Sequence, residues 1–492
     1  MSLPSPFYSA IHTIVVSDLH LADAEPPHPK KPLWKRFKGK DLFIDGTFKL
    51  FLEKIQKIVP GPIELIFNGD VFDFDSVMTL PAKPEFSISW LERRRGLAPE
   101  EAKSRFKIQV ILDAHSTWLE SVREFILNGN RVVFNIGNHD MELHWPSVCR
   151  DLQNRMNLPE QFQDSVRFTE WFYISNQDTL IEHGNQYDAY CLCSNPIHPL
   201  IKKRGKVLMR LPFGNLAGKY MLNGMGLMNP HVDSSFIKDS VFEYMIFFMR
   251  YVIRTQPLLL FAWFWSAIAT LIVSLQEGFH RALNDPLTVD TRVEGIAQRA
   301  NSTVPVVWAL KEVHAHPAIF SPLKILRELW LDRAILFSLV IFISFEIFAT
   351  VNVFANISIA WIVIPFLILL PMFIFYARSV ESEVSKLQKV AFAMIPFSAR
   401  IAKVSRVIQG HTHQEIHTQI KGIEYFNTGT WSPAFHDIEC TKAYGRKCFA
   451  WIKPDLNNPR NRICSLYEWT GTDIVLIPIN ETDQFYATNS SH

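Results

Sequence analysis

The chain has 492 residues, of which 48% are hydrophobic (including 38 Phe and 13 Trp) and 20% charged, with a formal net charge of +2. That length exceeds one ordinary domain and predicts a sizeable core plus at least one further module. The near-balanced charge gives no global case for nucleic-acid binding, and six cysteines without a CxxC spacing exclude a disulfide framework and a zinc ribbon.

The opening MSLPSPFYSAIHTIVVSD lacks a basic start followed by an apolar run and a small-residue cleavage site. No secretory leader is expected, and the catalytic part is expected in the cytoplasm. The first 190 residues read as α/β, with β-branched runs that each stop at polar residues. Thr13–Val16 precedes SDLH, Ile63–Phe67 precedes NGDVFD, Arg131–Ile136 precedes GNHD, and Thr179–Ile181 precedes EHGN. Between them, Phe48, Leu52, Ile55 and Val59, and then Phe106, Val110, Ala114, Trp118 and Val122, recur at helical spacing and predict helices with one apolar face on a sheet. After about Asp239 the character changes. Pro257–Leu275 is apolar, and Ala334–Tyr376 is almost continuously so for 43 residues. Near Arg400 the α/β pattern resumes with RVIQGHTH and then IEYFNTGTW.

Polar residues at the carboxyl ends of several strands favour chemistry over structure, because ligand sites in open α/β sheets lie there. A binuclear hydrolytic site needs two cations a few ångströms apart, a carboxylate that can bridge them, and imidazole or amide ligands that leave a position for substrate. Asp18 and His20 end the first run, Asp70 and Asp73 the second, Asn138 and His139 the third, His183 the fourth, and His411 and His413 a fifth. Gly69, Gly137, Gly184 and Gly410 let the backbone approach such a centre without a side chain in the way. Singly each block is weak, since a lone GNH is a turn and a buried His is more often a hydrogen-bonded core residue. Together, at five strand ends, they outweigh the structural reading.

In this order the blocks resemble the five motifs of the calcineurin-like metallophosphoesterase superfamily, over roughly residues 11–190 and 400–431. The resemblance implies a β-sandwich flanked by helices and two divalent metal ions, manganese first, with iron and zinc as alternatives. One metal would be held by Asp18, His20, Asp70 and His413, the other by Asp70, Asn138, His183 and His411, with Asp70 as the bridge. It further implies that His139 protonates the leaving oxygen while Asp73 orients it. The DLHL and histidine-glycine-polar blocks are also similar to those of hydrolases that split UDP-2,3-diacylglucosamine, although that group carries Arg at the place of His139.

Two segments mix cations with apolar residues: Lys30, Lys31, Lys35, Arg36, Lys38 and Lys40 around Trp34 and Phe37, and Lys202, Lys203, Arg204, Lys206 and Arg210. Either suits anionic head groups or a solvated loop, whereas Arg93–Arg95 reads as a solvated face. The 43-residue run is too long for one helix across a ~30 Å hydrocarbon core and suits two of about twenty residues. It predicts a membrane hairpin turning near Asn352–Asn356, whose cationic flanks (Arg327, Arg333 and Arg378) face the cytoplasm. Because Asp18 and His413 must share one site, the chain crosses an even number of times between them. Pro257–Leu275 therefore lies in the interface or re-enters, or else pairs with Val241–Ile253, whose Glu243 and Arg250 make a poor span.

The expected organisation is a metallophosphoesterase domain split into 1–240 and 391–492 by a membrane-associated helical insert, 241–390. The expected activity is hydrolysis of a phosphomonoester or pyrophosphate bond, with an amphiphilic, lipid-linked substrate and membrane lipids as partners. A soluble nucleotide or phosphoprotein phosphatase that is merely anchored, and a non-catalytic scaffold, are the alternatives.

Overall fold

The computed structural model describes residues 8–226, 246, 248–283, 287–379, 387–443, 445–458 and 461–478. The N-terminal part alternates strand and helix: β1 (His12–Val16), α1 (Asp45–Ile58), β2 (Ile63–Asn68), α2 (Trp90–Arg95), α3 (Glu101–Ala114), α4 (Ser116–Leu127), β3 (Arg131–Asn135), α5 (Pro146–Met156) and β4 (Val166–Thr169). It continues through β5 (Phe172–Ser175), β6 (Thr179–Glu182) and the hairpin β7 (Leu200–Lys203) and β8 (Lys206–Met209). A helical stretch follows: α6 (Phe213–Tyr220), α7 (Leu259–Phe279), α8 (Val289–Arg299), α9 (Val304–Glu312), α10 (Pro322–Glu328), α11 (Leu331–Ala355), α12 (Val363–Ser379) and α13 (Leu387–Ala402). The chain then returns to sheet with β9 (Arg406–Gln409), β10 (Glu415–Ile420), β11 (Ile423–Thr428), β12 (Cys448–Pro454), β13 (Arg462–Trp469) and β14 (Ile474–Leu476).

Two sheets carry the fold, one of seven strands in the order β14-β13-β12-β1-β2-β3-β4 and one of five in the order β10-β11-β9-β6-β5. Strands β1 to β4 are parallel because helices cross between them, whereas β12 joins β1 antiparallel. Both sheets mix strands from the two ends of the sequence.

Alternation along the strands explains the layers. Val15, Ile66 and Val133 point inward to meet Tyr173, Ile181, Ile408 and Phe426 of the second sheet. Their neighbours Ile14, Val16, Leu65, Phe67, Val132 and Phe134 point outward to Phe48, Leu52 and Ile55 of α1 and Trp118 and Val122 of α4. Strands covered on both faces read as continuous apolar runs, which is how these runs appear in the sequence.

The second sheet is covered by α8, α9 and α13 through Val293, Ile296, Val307, Leu310, Ile395 and Ala399 against Leu180, Val407 and Tyr425. Helices α8 and α9 lie inside the segment expected to be a membrane insert, yet they belong to this core. The long apolar repeat Phe106 to Val122 also resolves differently, because the helix breaks at His115. In α3 the buried face is Lys103, Ser104, Lys107, Ile108, Ile111 and Leu112, while Phe106, Val110 and Ala114 are only half-buried. Paired lysines account for the shift. Lys107 binds Glu142, and Lys103 binds Glu92 and Glu100, so these cations are buried with carboxylate partners.

Two helices, Leu331–Ala355 and Ile359–Tyr376, are long and apolar enough to cross a membrane, and only 11% and 0% of their most apolar windows are buried. They pack on each other, with Phe337 against Phe366 and Phe373, and Tyr376 donates a 2.8 Å hydrogen bond to Asp332 at their shared base. Their two outer ends are therefore on one side. Helix α7, which covers most of Pro257–Leu275, instead lays one face against the domain. Of Val241–Ile253, residues 241–245 and 247 lie outside the described residues.

Candidate metal centre

The loops after β1, β2, β3, β6 and β9 meet at one edge of the double sheet. Asp18, Asp70 and His183 are almost fully buried there, while the His139, His411 and His413 side chains are 20%, 15% and 17% exposed and line the opening. His413 Nε2 stands 3.2 Å from Asp18 Oδ1 and 3.1 Å from His20 Nε2. Asp70 Oδ2 lies 3.1 Å from His183 Nε2 and 4.0 Å from His20 Nε2, so one carboxylate oxygen reaches both halves of the cluster. Donor atoms of Asp18, His20 and His413 fall within 4.8 Å of one another, and so do those of Asp70, His183 and His411.

The backbone is bent to achieve this. Five of the seven expected ligands hold left-handed φ values, namely Asp18 (55°), His20 (50°), Asp70 (54°), His411 (68°) and His413 (56°). Such conformations cost non-glycine residues about 1–3 kcal/mol each and persist where surroundings over-determine them. Trp431 and Ser432 N–H groups and the Thr430 hydroxyl all donate to the Asp18 carbonyl, at 3.0, 2.9 and 3.0 Å. Two glycines are needed for close approach: a Cβ on Gly137 would collide with the Asp70 carboxylate, and one on Gly410 would lie 2.5 Å from Asp18 Oδ2.

Donor chemistry fits divalent cations. The Asp18 Oδ1, Asn138 Oδ1 and His183 Nε2 atoms are buried and lack a hydrogen-bond partner, which is costly unless something else satisfies them. His183 Nδ1 donates to the Asn68 carbonyl at 2.8 Å, which leaves the Nε2 lone pair as the ligand atom. Burial works against charge on Asp70, but the imidazoles of His183 and His139 outweigh it and hold the carboxyl well below its usual range. Burial likewise opposes charge on His183, yet Asp70 and Asp18 raise it to about 9. The carboxylates of the cluster favour positive charge, and a cation held there would take the place of the proton on that imidazole.

His139 donates its backbone N–H to Asp70 Oδ1 at 2.8 Å, and its ring Nδ1 lies 3.3 Å from Asp73 Oδ1. Burial disfavours its charged form, but Asp73 and Asp70 raise it to about 10. Three residues that sequence reasoning did not single out complete the site. Asp140 accepts from the N–H groups of Val71 and Gly137 at 2.9 and 2.6 Å, locking the second and third loops together. Asn215 of α6 donates to the Asn138 carbonyl at 2.8 Å and to Asp75 at 2.5 Å. Asp188 sits 3.0 Å from His411 Nε2. Asp140 belongs to the GNHD block and Asp188 follows His183 by five residues, so both were near the motifs; Asn215 carried no signal.

Residues 11–209 match the family model for calcineurin-like phosphoesterases. This stretch is a calcineurin-like phosphoesterase domain. A search among curated proteins found no match. The matched stretch ends before β9, and the fold supplies His411 and His413 from the far end of the chain. Members of this family typically bind two metal ions, and the buried Asp and His groups agree with a metal-dependent phosphoesterase. Cys191 stands with Asp188 and His411, and all six cysteines are unpaired with one another, as expected.

The basic segments fare differently from expectation. Lys38 is buried on Asp23 and the Ser76 carbonyl, and Lys35 is also buried. In the second segment Lys203 pairs with Glu277, Lys206 with Glu100, and buried Arg210 binds the His280 carbonyl. Among the described residues, only Lys202 and Arg204 of that segment are left for an external anion. Arg95, from the segment read as a solvated face, is half-buried on Ser266 at 3.0 Å.

Proposed function

We propose that this phosphoesterase hydrolyses a phosphomonoester or pyrophosphate bond in an amphiphilic substrate at a membrane surface. The observation that carries the reading is positional: the apolar hairpin α11–α12 emerges from the chain between His183 and His411, two residues that the fold brings to one site.

Asp18, His20, Asp70 and His413 would hold one cation, and Asp70, Asn138, His183 and His411 the other, with Asp70 common to both sets. Oxygen and imidazole donors of this kind suit Mn²⁺, and also accept Fe or Zn. When bound, such cations supply Lewis-acid charge for the phosphoryl oxygens and the acidity that makes water nucleophilic at neutral pH. The chain's own groups do the rest. Asp73 accepts the Nδ1–H of His139 and fixes the ring, so the Nε2 proton is the one offered to the leaving oxygen. The carboxylates of Asp73 and Asp70 favour the charged ring of His139 against its burial, and its partial exposure places it at the opening of the site. Asp140 and Asn215 hold the loops rigid so that donors need not reorganise.

Activity of the detergent-purified chain with Mn²⁺ against nucleotides, sugar-nucleotide lipids and phosphopeptides tests this reading. Turnover of the lipid-linked substrates is expected. Preference for nucleotides or phosphopeptides would overturn the substrate class, and absence of hydrolysis with full metal occupancy would favour a scaffold.

A further inference from the structure

Helix α7 has two unlike faces. Ser266, Ala267, Thr270 and Ser274 are completely or almost completely buried. Phe213 of α6 shares an apolar cluster with Ala267 on this inner face, and Arg95 donates to Ser266. The opposite face carries Phe261, Trp265, Ile272 and Phe279, exposed by 75%, 64%, 49% and 84%. With its inner half occupied by the domain, α7 has only its outer half free to meet lipid. Twenty-one residues of helix with an aromatic outer stripe are a surface that water alone does not favour.

Two further observations identify what covers it. Helix α10 packs on α7 with Leu323 exposed, and a two-residue link that includes exposed Trp330 joins it to α11 at the base of the hairpin. The apolar outer face is therefore continuous with the segment read as membrane-embedded. At its other end α7 is stitched to the β7–β8 hairpin, where Ala282 bridges Ile201 and Leu283 N–H donates to the Leu200 carbonyl at 2.8 Å. That junction gathers Lys202, Arg204 and Arg281, which are exposed and form no ion pair among the described residues. Cations beside aromatic side chains complement an anionic lipid surface.

We propose that α7 is a membrane-docking helix that lies along the bilayer, its Phe261, Trp265, Ile272 and Phe279 stripe at the boundary of head groups and acyl chains, with Lys202, Arg204 and Arg281 on anionic head groups. The proposal rests on the reading of α11–α12 as a membrane hairpin. Its consequence is reach: α7 packs on α6, and Asn215 of α6 holds the Asn138 carbonyl, so only α7 and α6 would stand between the candidate metal centre and the lipid on that path.

The test uses the full chain in lipid nanodiscs, neutral or containing phosphatidylglycerol. Benzoylphenylalanine replaces, one at a time, Phe261, Ile272 or Phe279, Phe354 of the hairpin as positive control, and Leu456, 96% exposed, as negative control. Photo-adducts with lipid at Phe261 and Ile272 should exceed those at Leu456 by about tenfold or more. In the anionic discs the Phe279 adduct should increase, and Lys202→Glu with Arg204→Glu should abolish that increase while hydrolysis of a water-soluble phosphoester is unchanged. Adducts at Phe354 with none at Phe261 or Ile272 would overturn the docking helix and leave the hairpin standing. No adduct at Phe354 either would overturn the membrane reading and the proposal with it. Equal Phe279 labelling in both discs would overturn the role of the cations.

Discussion

The double sheet and the α11–α12 hairpin draw on the same apolar residues and place them oppositely. In the sheet, Val15, Ile66 and Phe67 are buried and the polar Asp18, Asn68 and Asp70 are buried with them, each carboxylate or amide held by neighbours. In the hairpin, Phe342, Phe345, Phe354 and Phe375 are exposed by 58%, 50%, 85% and 77%, and few polar groups accompany them. Fully burying such a side chain is worth about 1.5–3 kcal/mol, so a hairpin in water would forgo that for each residue. The difference teaches that one region is stabilised by its own interior, whereas the other leaves its apolar side chains on the outside.

The sharpest break of that comparison is at the bridge. Asp70→Ala is expected to abolish hydrolysis and most bound metal, because it removes the oxygen within reach of both His183 and His20; elemental analysis beside wild type checks this. A wild-type stoichiometry of zero or one metal per chain after reconstitution would remove the binuclear reading itself.

Next in size, His139→Ala should keep its metal and slow turnover by about 10²–10⁴, since only the proton donor is lost. The loss should be small for a nitrophenyl leaving group and large for an alkyl one. Equal losses would mean that His139 is not the general acid.

Inside the core, Lys107→Ala should cost about 3–5 kcal/mol in unfolding free energy, because it strands the buried Glu142 carboxylate. Pairing Lys107→Met with Glu142→Leu should restore most of that. A comparably charged site on the exposed surface, Arg123→Ala beside Glu120, should cost less than about 1 kcal/mol.

The smallest expected effect sharpens the role of the surroundings. A lipid phosphoester should exceed its deacylated head group in kcat/KM by about tenfold, or 1.4 kcal/mol. Equal values under identical metal and detergent conditions would reduce the hairpin to an anchor.

Much of the site was legible beforehand for a local reason. Each proposed ligand follows a short apolar, β-branched run, and all but Asp18 and His20 also lie near a glycine, so Asp18, His20, Asp70, Asn138, His183, His411 and His413 could be read without knowing how the runs pair. The length of the hairpin was likewise a local property. What failed was periodicity applied across a break: the stripe from Phe106 to Val122 crosses His115, where α3 ends, and the buried face of α3 is set by Lys103 pairing with Glu92 and Glu100 and by Lys107 reaching Glu142, 35 residues on. Charge counting failed similarly, because nothing near Lys38 announces that Asp23 and Ser76 will enclose it.

The sequence by itself determined the residue types of the candidate site, their order, the strands they follow and the apolar length of the hairpin, since each depends on residues within a few positions of one another. Only the tertiary structure decided that His20 and His413, 393 residues apart, stand 3.1 Å from each other, that Asp188 faces His411, that Asn215 braces Asn138, and that α7 turns its serines inward and its aromatics outward. Those relations arise from strands of both chain ends closing into shared sheets, and contacts made by closure have no signature in the neighbourhood of either partner.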